Sequence, residues 1–110
     1  MENNPNERRR HRRHKLECPI TLFGRAGQVL VKAATTDLSH GGTYVTVARD
    51  TIDDEENVNV AFSIPRTAQE HRMEGFASNA KVIRREPKDD GVHVGLAMQF
   101  TPQMHLPIEA

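Results

Sequence analysis

Residues 92–100, VHVGLAMQF, carry the clearest structural pattern in this chain of 110 residues. Apolar side chains occupy every second position, at Val92, Val94, Leu96, Met98 and Phe100. The intervening positions hold His93, Gly95, Ala97 and Gln99. Because successive side chains of a β-strand point to opposite faces, this alternation predicts a strand with one face toward a core and the other face away from it.

The same period of two recurs along the rest of the chain. The predicted strands cover residues 16–22, 28–36, 43–47, 58–64, 76–85 and 92–100. Pro19 indicates a strand end or a sheet edge, because proline cannot donate to a neighbouring strand. We expect Pro65 to end the fourth strand, residues 66–73 to form a hairpin tip, and residues 86–91, EPKDDG, to form a turn.

Six antiparallel strands separated by turn residues, with no helical periodicity of useful length, predict an all-β fold, a small six-stranded antiparallel β-barrel. Residues 1–7 are polar and are expected to be disordered. The barrel domain is predicted over residues 8–100, including a basic N-terminal arm at residues 8–15. Residues 101–110 form a tail whose two prolines permit at most a short C-terminal helix.

Charge is unevenly distributed although the formal net charge is zero. Residues 1–15 hold six of the 15 basic residues and two of the 15 acidic residues, which leaves nine basic and 13 acidic residues in the body. A basic arm on an acidic body favours a compact anion site. It argues against a nucleic-acid partner, which would need a continuous basic surface and stacking aromatic residues.

Several other classes of function are excluded by residue type. Cys18 is the only cysteine, so the chain has no internal disulfide, and a reducing, cytoplasmic location is expected. No apolar stretch is long enough to cross a membrane.

His11 and His14 lie among arginines that repel cations, so no metal site is predicted. Ser39 and His40 are neighbours whose side chains should diverge, and we predict neither catalysis nor a cofactor.

Two short segments carry the chemistry of a binding site. The arm contains Arg8, Arg9, Arg10, Arg12, Arg13 and Lys15. Arginine is a planar donor that suits phosphate and the N7/O6 edge of guanine. The second segment is the turn at residues 37–42, DLSHGG, in which Asp37 can accept from the N1–H and N2–H2 donors of guanine while Ser39 adds a polar contact. Gly41 and Gly42 lack the Cβ atoms that would block a ligand or forbid a positive φ.

Each segment also has an ordinary structural explanation. Polybasic arms are common and of low specificity, and an Asp-x-Ser turn often hydrogen-bonds only its own backbone. A barrel would bring the two segments together, because the arm leading into the first strand can fold over the turn between the second and third strands. This convergence favours a guanine nucleotide site.

The two segments together resemble the PilZ family, whose members bind the bacterial second messenger cyclic di-GMP. The family pattern is Arg-x-x-x-Arg followed by (Asp/Asn)-x-Ser-x-x-Gly, and the second motif is intact at Asp37, Ser39 and Gly42. The first motif fits either Arg8 and Arg12 or Arg9 and Arg13. Spacing to the first apolar residue, Leu16, favours Arg9 and Arg13. The likeness extends from residue 7 to about residue 100.

The resemblance implies the barrel fold and a ligand site at Arg8, Arg9, Arg13, Asp37, Ser39, Gly41 and Gly42. An arginine just before the motif pair, here Arg8, implies that cyclic di-GMP binds as an intercalated pair. Residues 7–15 are then expected to become ordered on binding and to signal to an unidentified effector protein. The alternative is an interaction module of the same fold that does not bind nucleotide, with its basic arm docking an acidic protein or nucleic acid.

Overall fold

The structure is a computed structural model that describes residues 12–52, 56–67 and 72–108. It contains six β-strands in chain order, which are β1 (Pro19–Phe23), β2 (Val29–Leu38), β3 (Gly42–Ala48), β4 (Asn57–Thr67), β5 (Arg72–Pro87) and β6 (His93–Thr101). All neighbouring strands pair in an antiparallel manner, in the order β1-β2-β3-β6-β5-β4, and β4 returns to β1 to close a barrel. The predicted six-stranded antiparallel barrel is confirmed.

The inner faces of the strands form one hydrophobic core. In β6, Val94, Leu96, Met98 and Phe100 are buried, as the alternation predicts. Val92 does not join them, because it lies in the turn before β6 and is 56% exposed. Phe62 lies at the centre of the aromatic packing, with its ring centroid 5.6 Å from Phe100 and 5.8 Å from Phe76.

Several strand ends differ from the prediction. β1 begins at Pro19 rather than at Leu16, and the hairpin tip is shorter than the predicted residues 66–73, because β5 already begins at Arg72. Pro65 does not end β4, which continues to Thr67. β1 pairs with β4 only as far as Phe62, so Pro65 pairs with β5 and not with β1. The N–H that proline lacks is therefore not needed for a hydrogen bond to β1. The turn predicted at residues 86–91 begins later, because Glu86 and Pro87 still pair with β6.

The face of β6 that points away from the core is partly covered by other residues. Gly95 and Ala97 lie on this face and are nevertheless buried, with Ala97 only 1% exposed. Tyr44 covers Gly95 so closely that a Cβ at position 95 would collide with the phenol hydroxyl. The small residues in the alternating pattern therefore make room for an aromatic ring on the outside of the barrel.

The tail after β6 packs against the barrel without forming a helix in the described residues 102–108. Leu106 is 2% exposed and belongs to the core, and Met104 and Ile108 pack against that core while partly buried. The tail therefore closes one end of the barrel next to the turn that follows β2, since the amide of Met104 donates to the carbonyl of His40 at 2.8 Å.

Candidate functional site

The last residues of the basic arm are docked onto the end of β2. His14 pairs with Leu38, whose carbonyl accepts from the His14 amide at 2.8 Å and whose amide donates to the His14 carbonyl at 2.9 Å. Thr35 secures the following segment, because its buried hydroxyl donates to the Leu16 carbonyl at 2.5 Å and accepts from the Cys18 amide at 2.9 Å. The backbone on either side of Leu16 is thereby fixed against β2.

This docking brings together the two charges predicted to converge. Arg13 Nη1 lies 3.5 Å from Asp37 Oδ2, and the two side chains are 31% and 20% exposed. The other carboxylate oxygen, Asp37 Oδ1, is buried and has no hydrogen-bond partner among the described residues. A buried acceptor without a partner is costly, so this oxygen is suited to accept a hydrogen bond from a ligand.

A β-bulge directs Asp37 to the outside of the barrel. The pairing of β2 with β3 joins Thr35 to Val45 and Asp37 to Tyr44, so Thr36 is an extra residue in β2. In a regular ladder without the bulge, Thr36 would pair with Tyr44, and Asp37 would pair with Thr43 on the face where the core residue Leu38 lies now. The bulge therefore places the carboxylate on the surface where the arm lies.

Ser39 holds the turn together by hydrogen bonds to its backbone. Its hydroxyl oxygen accepts from the amides of Gly41 at 3.2 Å and Gly42 at 3.1 Å, and the hydroxyl donates to the Gly42 carbonyl at 3.3 Å. The Ser39 amide also donates to that carbonyl at 2.9 Å. The side chain is 6% exposed. Its observed role is therefore to shape the turn that carries Asp37, while a direct contact with ligand stays a prediction.

The two glycines of the turn lie next to β6. The described glycines with positive φ are Gly27 and Gly91, so the positive φ that Gly41 and Gly42 would permit is not used. A Cβ on Gly42 would collide with the backbone carbonyl of Met98 in the neighbouring strand. The Gly41 carbonyl accepts from the Phe100 amide at 2.8 Å. Both residues thus join the turn to β6.

His40 connects the turn to the tail, which sequence reasoning missed. Its side chain is 6% exposed, its Nε2 lies 3.0 Å from the Ile108 carbonyl oxygen, and its ring meets that of His105 edge to face at 5.5 Å between centroids. The side chains of Ser39 and His40 therefore point in different directions, as expected. Among the described residues, no group of three His, Cys, Asp or Glu side chains is arranged to hold a metal ion.

A second polar cluster lies on the outer face beyond Asp37. The Tyr44 hydroxyl donates to Glu86 Oε1 at 2.7 Å, and Lys88 Nζ donates to the Tyr44 oxygen at 2.7 Å while lying 5.0 Å from the ring centroid. The hydrogen bonds from Tyr44 and then Arg84 hold the pKa of Glu86 below its usual value. The bond to Tyr44 raises the pKa of Lys88. In the sequence, the cluster could have been indicated only by the alternation of inward and outward positions in β3 and β5, which places Tyr44 and Glu86 on the outer face.

The remaining predicted site residues, Arg8 and Arg9, lie outside the described residues, as does the N-terminal stretch 1–7. Of the predicted set, the structure therefore brings together Arg13, Asp37, Ser39, Gly41 and Gly42. No helix in the described parts of the chain is long and apolar enough to cross a membrane.

Several solved structures share this fold, including the following two. The inhibitor of motility MotI/DgrA from Bacillus subtilis superposes with a TM-score of 0.71 at 15% identity, over 91% of this chain and 48% of that chain. The PilZ domain of YcgR from Escherichia coli, solved with cyclic di-GMP, superposes with a TM-score of 0.55 at 16% identity, over 86% of this chain and 78% of that chain. This chain thus spans about half the length of MotI/DgrA.

A search of curated proteins finds no significant match. The PilZ domain family model, in contrast, matches residues 7–106. This match includes the arginine arm, the turn at residues 37–42 and all six strands of the barrel. The chain belongs to the PilZ domain family, a family of cyclic di-GMP receptors.

Proposed function

We propose that this chain is a receptor for cyclic di-GMP. The observation that carries the proposal is the meeting of arm and turn, in which Arg13 lies 3.5 Å from Asp37 and the buried Oδ1 of Asp37 has no hydrogen-bond partner among the described residues. The solved complex of the YcgR PilZ domain with cyclic di-GMP supports the same ligand class.

Guanine suits this arrangement better than adenine. Asp37 accepts from the N1–H and N2–H2 donors of guanine, which adenine does not present together, while arginine donates to the O6 and N7 acceptors at the opposite edge. The same guanidinium groups bind phosphate. Arg13 is positioned for this task, and Arg9 and Arg8 extend the donor set. Gly41 leaves the turn without a side chain that would obstruct the ligand, and Gly42 lets the turn pack against β6.

The ligand is proposed to bind as an intercalated pair, because Arg8 supplies one more planar cation than the Arg9 and Arg13 pair. Titration calorimetry should then give two cyclic di-GMP per chain, and Arg8→Leu should reduce the ratio to one. A ratio of one in the unmodified chain would contradict the paired mode while leaving binding itself intact.

The output is proposed to be a change in conformation that is transmitted by protein contact in the cytoplasm. The arginine arm closes on the ligand, and an effector protein recognises the closed form. The chain then acts as an adaptor and converts no substrate. The alternative, an interaction module that binds no nucleotide, is favoured by one observation, since the Ser39 hydroxyl is already engaged by the backbone of its own turn.

Calorimetric titration with cyclic di-GMP separates these two functions, with cyclic di-AMP and GTP as controls. We expect saturable binding of cyclic di-GMP, no binding of cyclic di-AMP and a weaker response to GTP. Asp37→Ala should cost about 1.5–3 kcal/mol of binding free energy, the range for hydrogen bonds to a charged group. The matched control Asp89→Ala removes an exposed carboxylate from the turn after β5 and should bind normally. No heat with cyclic di-GMP would favour the interaction module.

A further inference from the structure

Two β-bulges in separate strands act on the same surface of the barrel. The bulge in β2 inserts Thr36 and turns Asp37 outward. In β5, pairing with β6 joins Val82 to Met98 and Arg84 to Ala97, so Ile83 is the extra residue. In a regular ladder without the bulge, Ile83 would pair with Ala97, and Arg84 would pair with the core residue Leu96 and point inward. Bulges commonly re-aim a side chain next to a functional site.

The two re-aimed residues lie at the ends of one cross-strand row. Asp37 pairs with Tyr44, Tyr44 with Ala97, and Ala97 with Arg84. We call these four residues the outer row. Cross-strand partners share a face, so all four are directed outward. The row crosses three strand spacings, or about 14 Å. It has an anion at one end and a cation at the other, with a small buried alanine between Tyr44 and Arg84.

Arg84 is held in place without losing its exposure. Its Nε donates to Glu86 Oε2 at 2.5 Å, and the side chain is 54% exposed. Glu86 is itself oriented by Tyr44, whose hydroxyl donates to the other carboxylate oxygen at 2.7 Å. The bond from Arg84 uses Nε, so the donors on Nη1 and Nη2 take no part in it. A guanidinium oriented in this way loses less freedom when it binds a planar or anionic partner.

We propose that Arg84 is a further ligand-binding residue, which contacts a phosphate of the cyclic dinucleotide at the end of the outer row opposite Asp37. This inference rests on the proposed function and extends its site across β3 and β6 to β5. Asp37 and Arg13 address one end of the ligand and Arg84 addresses the other end, with the buried Ala97 between Tyr44 and Arg84 in the row. Arg84 lies outside both motifs of the arm and the turn.

The experiment compares Arg84→Ala with Arg25→Ala by calorimetric titration of cyclic di-GMP. Arg25 is an exposed arginine in the turn between β1 and β2, at the end of β2 remote from Asp37. We expect Arg84→Ala to weaken binding by at least about tenfold, the lower bound for losing a hydrogen bond to a charged group, while Arg25→Ala binds as the unmodified chain does. Thermal unfolding should show both variants folded, because both side chains are on the surface.

Arg84→Lys identifies the chemistry of the contact. Lysine keeps the positive charge and should restore part of the lost affinity if the partner is a phosphate. Binding by Arg84→Ala equal to that of the unmodified chain would overturn the inference and leave the proposed function standing. Absence of cyclic di-GMP binding to the unmodified chain would overturn both.

Discussion

His14 and Leu38 exchange two backbone hydrogen bonds, of 2.8 and 2.9 Å, although they belong to two segments of the proposed site, the arm and the turn, that are distant in sequence. This pair sets the register of the basic arm against β2. Side chains alternate on an extended backbone, so fixing His14 also fixes the side on which Arg13 lies. The result is the 3.5 Å approach of Arg13 to Asp37.

The register predicts different roles for two adjacent arginines. Arg13→Ala should cost about 1.5–3 kcal/mol in binding of cyclic di-GMP, because a charged donor next to Asp37 is lost. Arg12→Ala is the control, since Arg12 precedes the residue that meets Asp37, and we expect it to have the smaller effect. Calorimetric titration of both variants measures the difference. Normal binding by Arg13→Ala together with loss in Arg12→Ala would show that the arm uses the other register.

Much of the fold could be predicted because burial imposes a period of two on the strands. Leu96, Met98 and Phe100 lie on the face of β6 that is buried in the core. Because that face excludes water, apolar residues recur at every second position, and this alternation is visible in the sequence. The meeting of arm and turn was also predictable, because a barrel places the entry to the first strand beside the turn between the next two. The approach of Arg13 to Asp37 agrees with that expectation.

Other features depend on contacts that sequence patterns do not record. The bulges at Thr36 and Ile83 break the period of two, and only the partner strand shows which residue is extra. Gly42 is required by the backbone of Met98, which is distant in sequence. The direction of the Ser39 hydroxyl is likewise set by the fold of its turn.

The Ser39 hydroxyl should stabilise the turn independently of any ligand. Ser39→Ala leaves the amides of Gly41 and Gly42 without their side-chain acceptor, so the free energy of unfolding should fall by about 1–3 kcal/mol. Urea unfolding measures this change, with Ser78→Ala, a change to a surface hydroxyl of β5, as a near-neutral control. Unchanged stability combined with lost cyclic di-GMP binding would instead show that the hydroxyl acts mainly on ligand.

Gly42 and Gly75 should respond differently to the same added methyl group. Gly42→Ala places a Cβ against the Met98 carbonyl and should destabilise the barrel by about 1–3 kcal/mol, as overpacking does. Gly75→Ala adds a Cβ where no other atom lies within 4 Å. Alanine is favoured over glycine in a strand by about 0.5–1 kcal/mol, so this control should be neutral or stabilising. Equal losses in thermal stability would contradict the packing explanation.

The central claim is that a guanine dinucleotide binds where the arm meets the turn, and an NMR titration of the ¹⁵N-labelled chain tests it most directly. Cyclic di-GMP should produce saturable shifts at the amides of His14, Leu38, Ser39, Gly41 and Gly42. Cyclic di-AMP at the same concentrations should leave these amides unchanged, because adenine lacks the donors that Asp37 accepts. Equal shifts with both dinucleotides, or no shift at these amides with cyclic di-GMP, would contradict the account.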